Sequence, residues 1–150
     1  MKHRLTLFIA MAMGILLPIL PAWGTDLTVY RWKNRLLLVF SPSASNPGFA
    51  GLDRNLAKRP LDIKDRDLVV FRIFEKGASR LDDQPLSTED ALKLRNRFKV
   101  KPGQFTVLLI GKDGGVKLTR KNRADLQEVF DLIDSMPMRQ QEMRKKGKTR

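Results

Sequence analysis

Hydrophobic residues fall into a few dense blocks along this chain, and the spacing inside each block separates strand from helix. Arg35-Leu36-Leu37-Leu38-Val39-Phe40-Ser41 is apolar without alternation and stops at Pro42. A run that short, with no polar face, predicts a strand covered on both sides. Asp67 to Glu75 repeats the pattern around Leu68-Val69-Val70-Phe71 and Ile73-Phe74, and Phe105 to Ile110 gives a third such run. Helical spacing lies between them. Phe49, Leu52 and Leu56 follow Asn46-Pro47, an N-cap residue ahead of one suited to the first helical position, and this helix should end at Pro60. Ala91, Leu94 and Phe98 follow Ser87-Thr88-Glu89-Asp90, which has capping-box spacing. Leu126, Val129, Phe130 and Ile133, with Asn122 as a cap, make the clearest helix. Gly111-Lys112-Asp113-Gly114-Gly115 predicts a hairpin turn from which Val116 to Thr119 returns antiparallel. After Ser135-Met136-Pro137, residues Met138 to Lys146 predict a short last helix with Met138 and Met143 inward, and 147–150 a disordered basic tail.

Strand-helix-strand units need crossovers and so give parallel pairs, while the hairpin adds an antiparallel one. The order predicts an α/β domain of thioredoxin-like arrangement: a central mixed sheet, helices on both faces, and a C-terminal β-hairpin and helix.

The first 24 residues have a different pattern. Lys2 and Arg4 precede an apolar run from Leu5 to Leu20, and Ala22-Trp23-Gly24 offers small residues one and three places before a cut. This is the layout of a signal peptide ending at Gly24, too short for a membrane helix and interrupted by Pro18. The expected organisation is therefore a signal peptide over 1–24, one domain over 25–146 and the tail over 147–150. The expected location is periplasmic or secreted, with membrane contact only through the signal peptide. The full chain carries a net charge of +13; without the first 24 residues, 27 Lys and Arg outnumber 16 acids by 11. Such a field attracts anions, and it also keeps an exported protein in solution.

Two absences restrict the chemistry more than any motif. The chain has no cysteine, and its single histidine, His3, lies in the signal segment. Thiol redox, Cys/His metal ligation and His-based triads are excluded from the domain, and neither a cofactor nor a metal is expected. The same absences leave no catalytic residue to nominate.

Four stretches carry a resemblance: Arg35 to Ser43, Arg66-Asp67-Leu68-Val69-Val70, Gly111 to Lys117, and Ile133 to Met143. They resemble a domain-of-unknown-function family of peroxiredoxin-like shape, sometimes called the DUDES domain. That domain occurs in bacterial exported proteins of this length and in animal extracellular proteins, some with sushi repeats. The resemblance implies a thioredoxin-like fold in an extracytoplasmic setting and brings no activity with it. Where thioredoxins place paired cysteines, this chain has Ser41-Pro42-Ser43-Ala44-Ser45-Asn46; where they place a cis-proline before Thr, it has Phe105 before Thr106.

Three candidate sites remain, each with a plainer reading beside it. Ser41, Ser43 and Asn46 lie between a strand and a helix start, where an anion finds unpaired N–H groups, or they are simply turn and cap residues. Lys112, Asp113 and Lys117 lie on a glycine-rich turn that leads into a strand, unlike a nucleotide-binding loop, and a tight hairpin explains the glycines. Arg139, Gln140 and Glu142 form a partner-binding surface or the polar side of a packed helix. Trp32, between Arg31 and Lys33, is expected to be buried. No nucleic-acid-binding signature is present. The function expected is a redox-inert thioredoxin-like binding module contacting a protein partner or an anionic ligand. The alternatives are a small cysteine-independent enzyme using Asp or Lys, and a basic docking module for envelope or matrix polyanions.

Overall fold

The computed structural model describes residues 26–147. The signal peptide expected over 1–24 and residues 148–150 lie outside them. The three unbroken apolar runs are the three central strands: β1 (Arg35–Ser41), β2 (Leu68–Phe74) and β5 (Thr106–Ile110). Every residue of β1 and β5 is buried, as absence of a polar face requires. Two short strands, β3 (Arg80–Leu81) and β4 (Gln84–Pro85), and the longer β6 (Val116–Lys121) complete a six-stranded sheet in the order β4-β3-β2-β1-β5-β6. β1 and β2 are parallel, with Arg35 opposite Leu68. β5 runs antiparallel to β1, with Leu38 opposite Leu108. The expectation that each crossover adds a parallel strand therefore fails at β5. The β3–β4 hairpin reverses the chain twice and leaves it running as β2 does; the next helix then carries it to the end where β1 and β2 finish, with Arg95 paired to Glu75, so β5 starts there with Thr106 opposite Phe40 and runs back. The mixed thioredoxin-like sheet itself is as expected.

Alternation along the strands divides the core in two. Leu37, Val39, Val107 and Leu109 face a layer made by α1 (Pro47–Ala57) and α4 (Leu126–Ser135), through Phe49, Leu52, Leu56, Val129, Phe130 and Ile133. Leu36, Leu38, Phe40, Leu108 and Ile110 face α3 (Thr88–Arg97) and a 3-10 turn over Leu27–Tyr30. Both predicted apolar stripes, on α1 and α4, are fully buried. Asn46 caps α1 by accepting from the N–H groups of Gly48 and Phe49, and Ser87 caps α3 by accepting from Asp90 N–H. α4 is capped by Asp125 instead of Asn122, which has a left-handed φ of 67° and closes the preceding turn.

Two helices depart from the sequence pattern. Pro60 does end α1, but it also opens α2 (Pro60–Asp65), a six-residue helix with no buried residue and hence no apolar signature. The last helix, α5 (Pro137–Gly147), does not pack on its methionines. Met138 is exposed, Met143 is half-buried and the one buried residue is Arg139, because the surface beneath α5 is ionic, with Asp65 and Asp134 facing Arg139 and Arg35 and Lys112 facing Glu142. α5 also continues through Lys145, Lys146 and Gly147, one residue into the stretch that the sequence assigns to the tail. Among the described residues, no helix is long and apolar enough to cross a membrane.

Candidate functional site

The loop after β1 is closed by its own side chains. Ser41 is buried and its hydroxyl donates to the Ser43 carbonyl at 2.8 Å, while the Ser43 and Ser45 hydroxyls pair at 2.9 Å. The α1 N–H groups of Gly48 and Phe49 are engaged by Asn46 Oδ1 at 3.0 and 3.2 Å. An added Cβ at Gly48 would come within 2.9 Å of the Asn122 carbonyl, so this helix start is also pressed against the chain after β6. The Ser41 hydroxyl and the first helix N–H groups are thus engaged from within, and of the Ser43–Ser45 pair one hydroxyl hydrogen stays available.

Charge collects at the other end of β1, about 20 Å away along the strand. Arg35 opens β1 and its side chain is 1% exposed. Its two Nη atoms donate to the two oxygens of Glu142 on α5, each at 3.2 Å, and Nη1 also reaches the Arg66 carbonyl at 2.9 Å. Such a two-point guanidinium–carboxylate contact is the strong geometry for this pair. Lys112, on the turn after β5, bridges Asp67 and Glu142 with 2.8 Å to each. Arg139 donates to both the side chain and the backbone carbonyl of Asp65, with 2.8 Å to the latter, and to Asp134 at 3.1 Å. Arg66 reaches Asp134 at 2.5 Å, and Lys146 reaches Asp65 at 2.7 Å. Ion pairs, with almost no apolar burial, therefore fasten α5 to α2, α4, the start of β1 and the turn after β5.

The network unites three of the expected site residues. Lys112, Arg139 and Glu142 come together around Arg35, whereas Gln140 turns away to the Asp134 carbonyl and Lys117 pairs with Asp113 in the exposed turn at 2.6 Å. Arg35, Asp65, Arg66, Asp67 and Asp134 are members that sequence reasoning does not select. A charged residue at the mouth of an otherwise apolar strand, as Arg35 is, is the one local signal available. Beside the network lies a groove of about 550 Å³ whose lining includes Arg35, Lys112 and Lys117 together with Leu132, Met136 and Met138. The Nε of Arg35 is buried without a hydrogen-bond partner.

Glu142 and Asp65 serve the network as counter-ions. Burial alone would raise the Glu142 carboxyl, but its hydrogen bonds from Lys112 and Arg35 outweigh this and hold it below its ordinary value. Asp65 is lowered to about 2, first by its hydrogen bond from Lys146 and then by that from Arg139. Among the described residues no group of three metal-ligating side chains converges.

A pH dependence follows with a definite sign. Both carboxyls have lower values folded than unfolded, so their stabilisation is present above about pH 4.5 and is lost as the pH falls toward 2. Urea midpoints measured through that interval should fall, and Asp65→Asn should flatten the lower part of the curve. An unchanged slope in the variant would remove Asp65 from the acid-labile group.

Residues 26–142 match the family model described as Domain of unknown function (DUF4174). The matched span ends at Glu142 and so contains the whole Arg35–Lys112–Glu142 contact. The chain is 26% identical over 133 residues to coiled-coil domain-containing protein 80 of Danio rerio, an alignment that covers 78% of this chain and 15% of that protein. The chain thus spans about 15% of the length of that relative. The crystal structure of Plasmodium vivax 2-Cys peroxiredoxin, reduced, superimposes with a TM-score of 0.58 at 16% identity, over 77% of this chain and 84% of that one.

Proposed function

Since this chain belongs to the Domain of unknown function (DUF4174) family and has a thioredoxin-like fold, we propose that it is a redox-inert binding module that works outside the cytoplasm and takes an anionic group of a ligand or protein partner. Its solved neighbour is named for two cysteines and this chain has none, so the scaffold is shared without the thiols. Export rests on Lys2, Arg4 and the apolar run from Leu5 to Leu20.

The observation that carries the binding reading is the groove beside Arg35. Cations and methionines line the same 550 Å³, a combination that suits an anion with an apolar body. Lys117 reaches it from the exposed side and its present partner, Asp113, is at least as exposed, so an incoming anion can take over the ammonium group at little cost.

Benzoate is a suitable probe. It should raise the unfolding temperature of the chain beginning at Thr25 more than chloride does at equal ionic strength, and Lys117→Glu should abolish the difference. An identical benzoate response in the variant would remove the groove from consideration.

A further inference from the structure

Trp32, which its sequence context places in the core, stands outside it with 62% of its surface exposed. Its neighbours explain the direction. Leu27 and Tyr30 of the 3-10 turn face inward, Leu27 into the α3-side core and Tyr30 edge-on to Phe71 at 5.9 Å, which leaves Val29 and Trp32 pointing away. The turn is fixed on both sides: Lys33 and Asn34 N–H groups donate to the Tyr30 carbonyl at 3.0 and 2.9 Å, and Trp32 N–H donates to the Lys112 carbonyl at 2.7 Å. Trp32 adopts φ of 63°, a left-handed conformation that bulky residues seldom accept. A large aromatic is thus held in a strained backbone and pushed into solvent, which is unfavourable for the isolated domain on both counts.

Cations surround it. The Arg31 guanidinium lies 5.9 Å from the Trp32 ring, Lys33 is the next residue, and Arg97 shares with Arg31 the lining of a hollow of about 410 Å³, where the one carboxylate, Asp113, is engaged with Lys117. Unlike Arg35, Arg66 or Arg139, none of these three forms an ion pair among the described residues. An exposed Trp and an aliphatic residue among cations outside any ion pair have the composition of a surface that seats at the headgroup level of a bilayer. The position in the chain selects that occupant. The apolar run Leu5 to Leu20, read as the core of a signal peptide, ends only a few residues before Asp26, so this is the first surface of the domain to follow it.

We propose that the face formed by Val29, Arg31, Trp32, Lys33 and Arg97 docks on anionic lipid headgroups, with Trp32 inserted at the interface. Membrane contact then continues after the signal peptide is removed, in place of the expectation that it ends there. The face adjoins the anion groove through the turn after β5, since Gly111 and Asp113 line both hollows, but Val29, Arg31, Trp32, Lys33 and Arg97 are not among the residues that line the groove.

Without residues 1–24, Trp32 is the single tryptophan of the chain, so its fluorescence reports on this face alone. The chain beginning at Thr25 keeps the whole sheet and both cores. Mixed with phosphatidylglycerol–phosphatidylcholine vesicles, it should co-sediment, with Trp32 emission shifted to the blue and shielded from acrylamide. Pure phosphatidylcholine vesicles should do neither. Arg31→Gln with Lys33→Gln should weaken binding on the order of thirty-fold, since each cation near an anionic surface contributes about five-fold. Trp32→Gly should abolish the insertion while leaving the unfolding temperature equal or higher, because glycine relieves the left-handed φ. Co-sedimentation without a change in Trp32 emission, or full binding by Trp32→Gly, would overturn the proposal. So would an emission shift with a soluble polyanion and none with the vesicles.

Discussion

Glu142→Gln is expected to cost about 3 kcal/mol of folding stability, the lower end of the range for removing one partner of a buried ion pair. The side chain that suffers is Arg35, whose charge has no other carboxylate among its hydrogen-bond partners and no access to water. The glutamine amide oxygen could still accept a hydrogen bond, but the substitution would leave the guanidinium charge uncompensated and Lys112 with Asp67 alone. Urea unfolding should show a lower midpoint with an unchanged slope. Glu142→Ala should lose at least as much, and acetate should restore part of it at an ionic strength where chloride does not, because a free carboxylate fits between Arg35 and Lys112. A loss below about 1 kcal/mol for Glu142→Gln would mean that the pair behaves as a surface ion pair despite its burial.

The second large effect belongs to Phe130. Its ring is fully buried in the α1–α4 core, and the guanidiniums of Arg59 and Arg66 lie 4.6 and 4.4 Å from its centroid. The Nε of Arg66 is buried without a hydrogen-bond partner. Phe130→Ala should cost about 4 kcal/mol, mostly from the cavity, with a further contribution from the lost cation–ring contacts. A double-mutant cycle between Phe130→Leu and Arg66→Met separates the two: a coupling near zero would show that Arg66 merely covers the ring.

The central strands and the helices α1, α3 and α4 are legible because each writes its environment into its own spacing. β1 and β5 have no polar position, and α1 and α4 bury the stripes read from Phe49, Leu52, Leu56 and from Leu126, Val129, Phe130, Ile133. α2 and the β3–β4 hairpin are not, since six residues without a buried side chain and two-residue strands contain no period to detect. The direction of β5 depends on which end of the sheet α3 reaches, which the long-range pair Arg95–Glu75 fixes and no local spacing shows. The charge cluster escapes for another reason. Arg35 and Glu142 are separated by 107 positions, and nothing local marks two ions as each other's partner. Apolar bulk usually lies inward, which is why sequence reasoning misplaces Met138 and Trp32; the surface under α5 is ionic, and the turn at Leu27–Tyr30 has its inward places already filled.

The two margins of the sheet are finished differently, with a shared result. At one side β4 is a mere Gln84–Pro85, whose proline has no N–H to offer. At the other, β6 buries only Leu118 and sets Lys117, Arg120 and Lys121 along the outermost strand. A second chain in extended form would meet a missing donor on one side and a row of positive charge on the other, so the sheet is guarded against growth by strand addition and against the aggregation that begins that way.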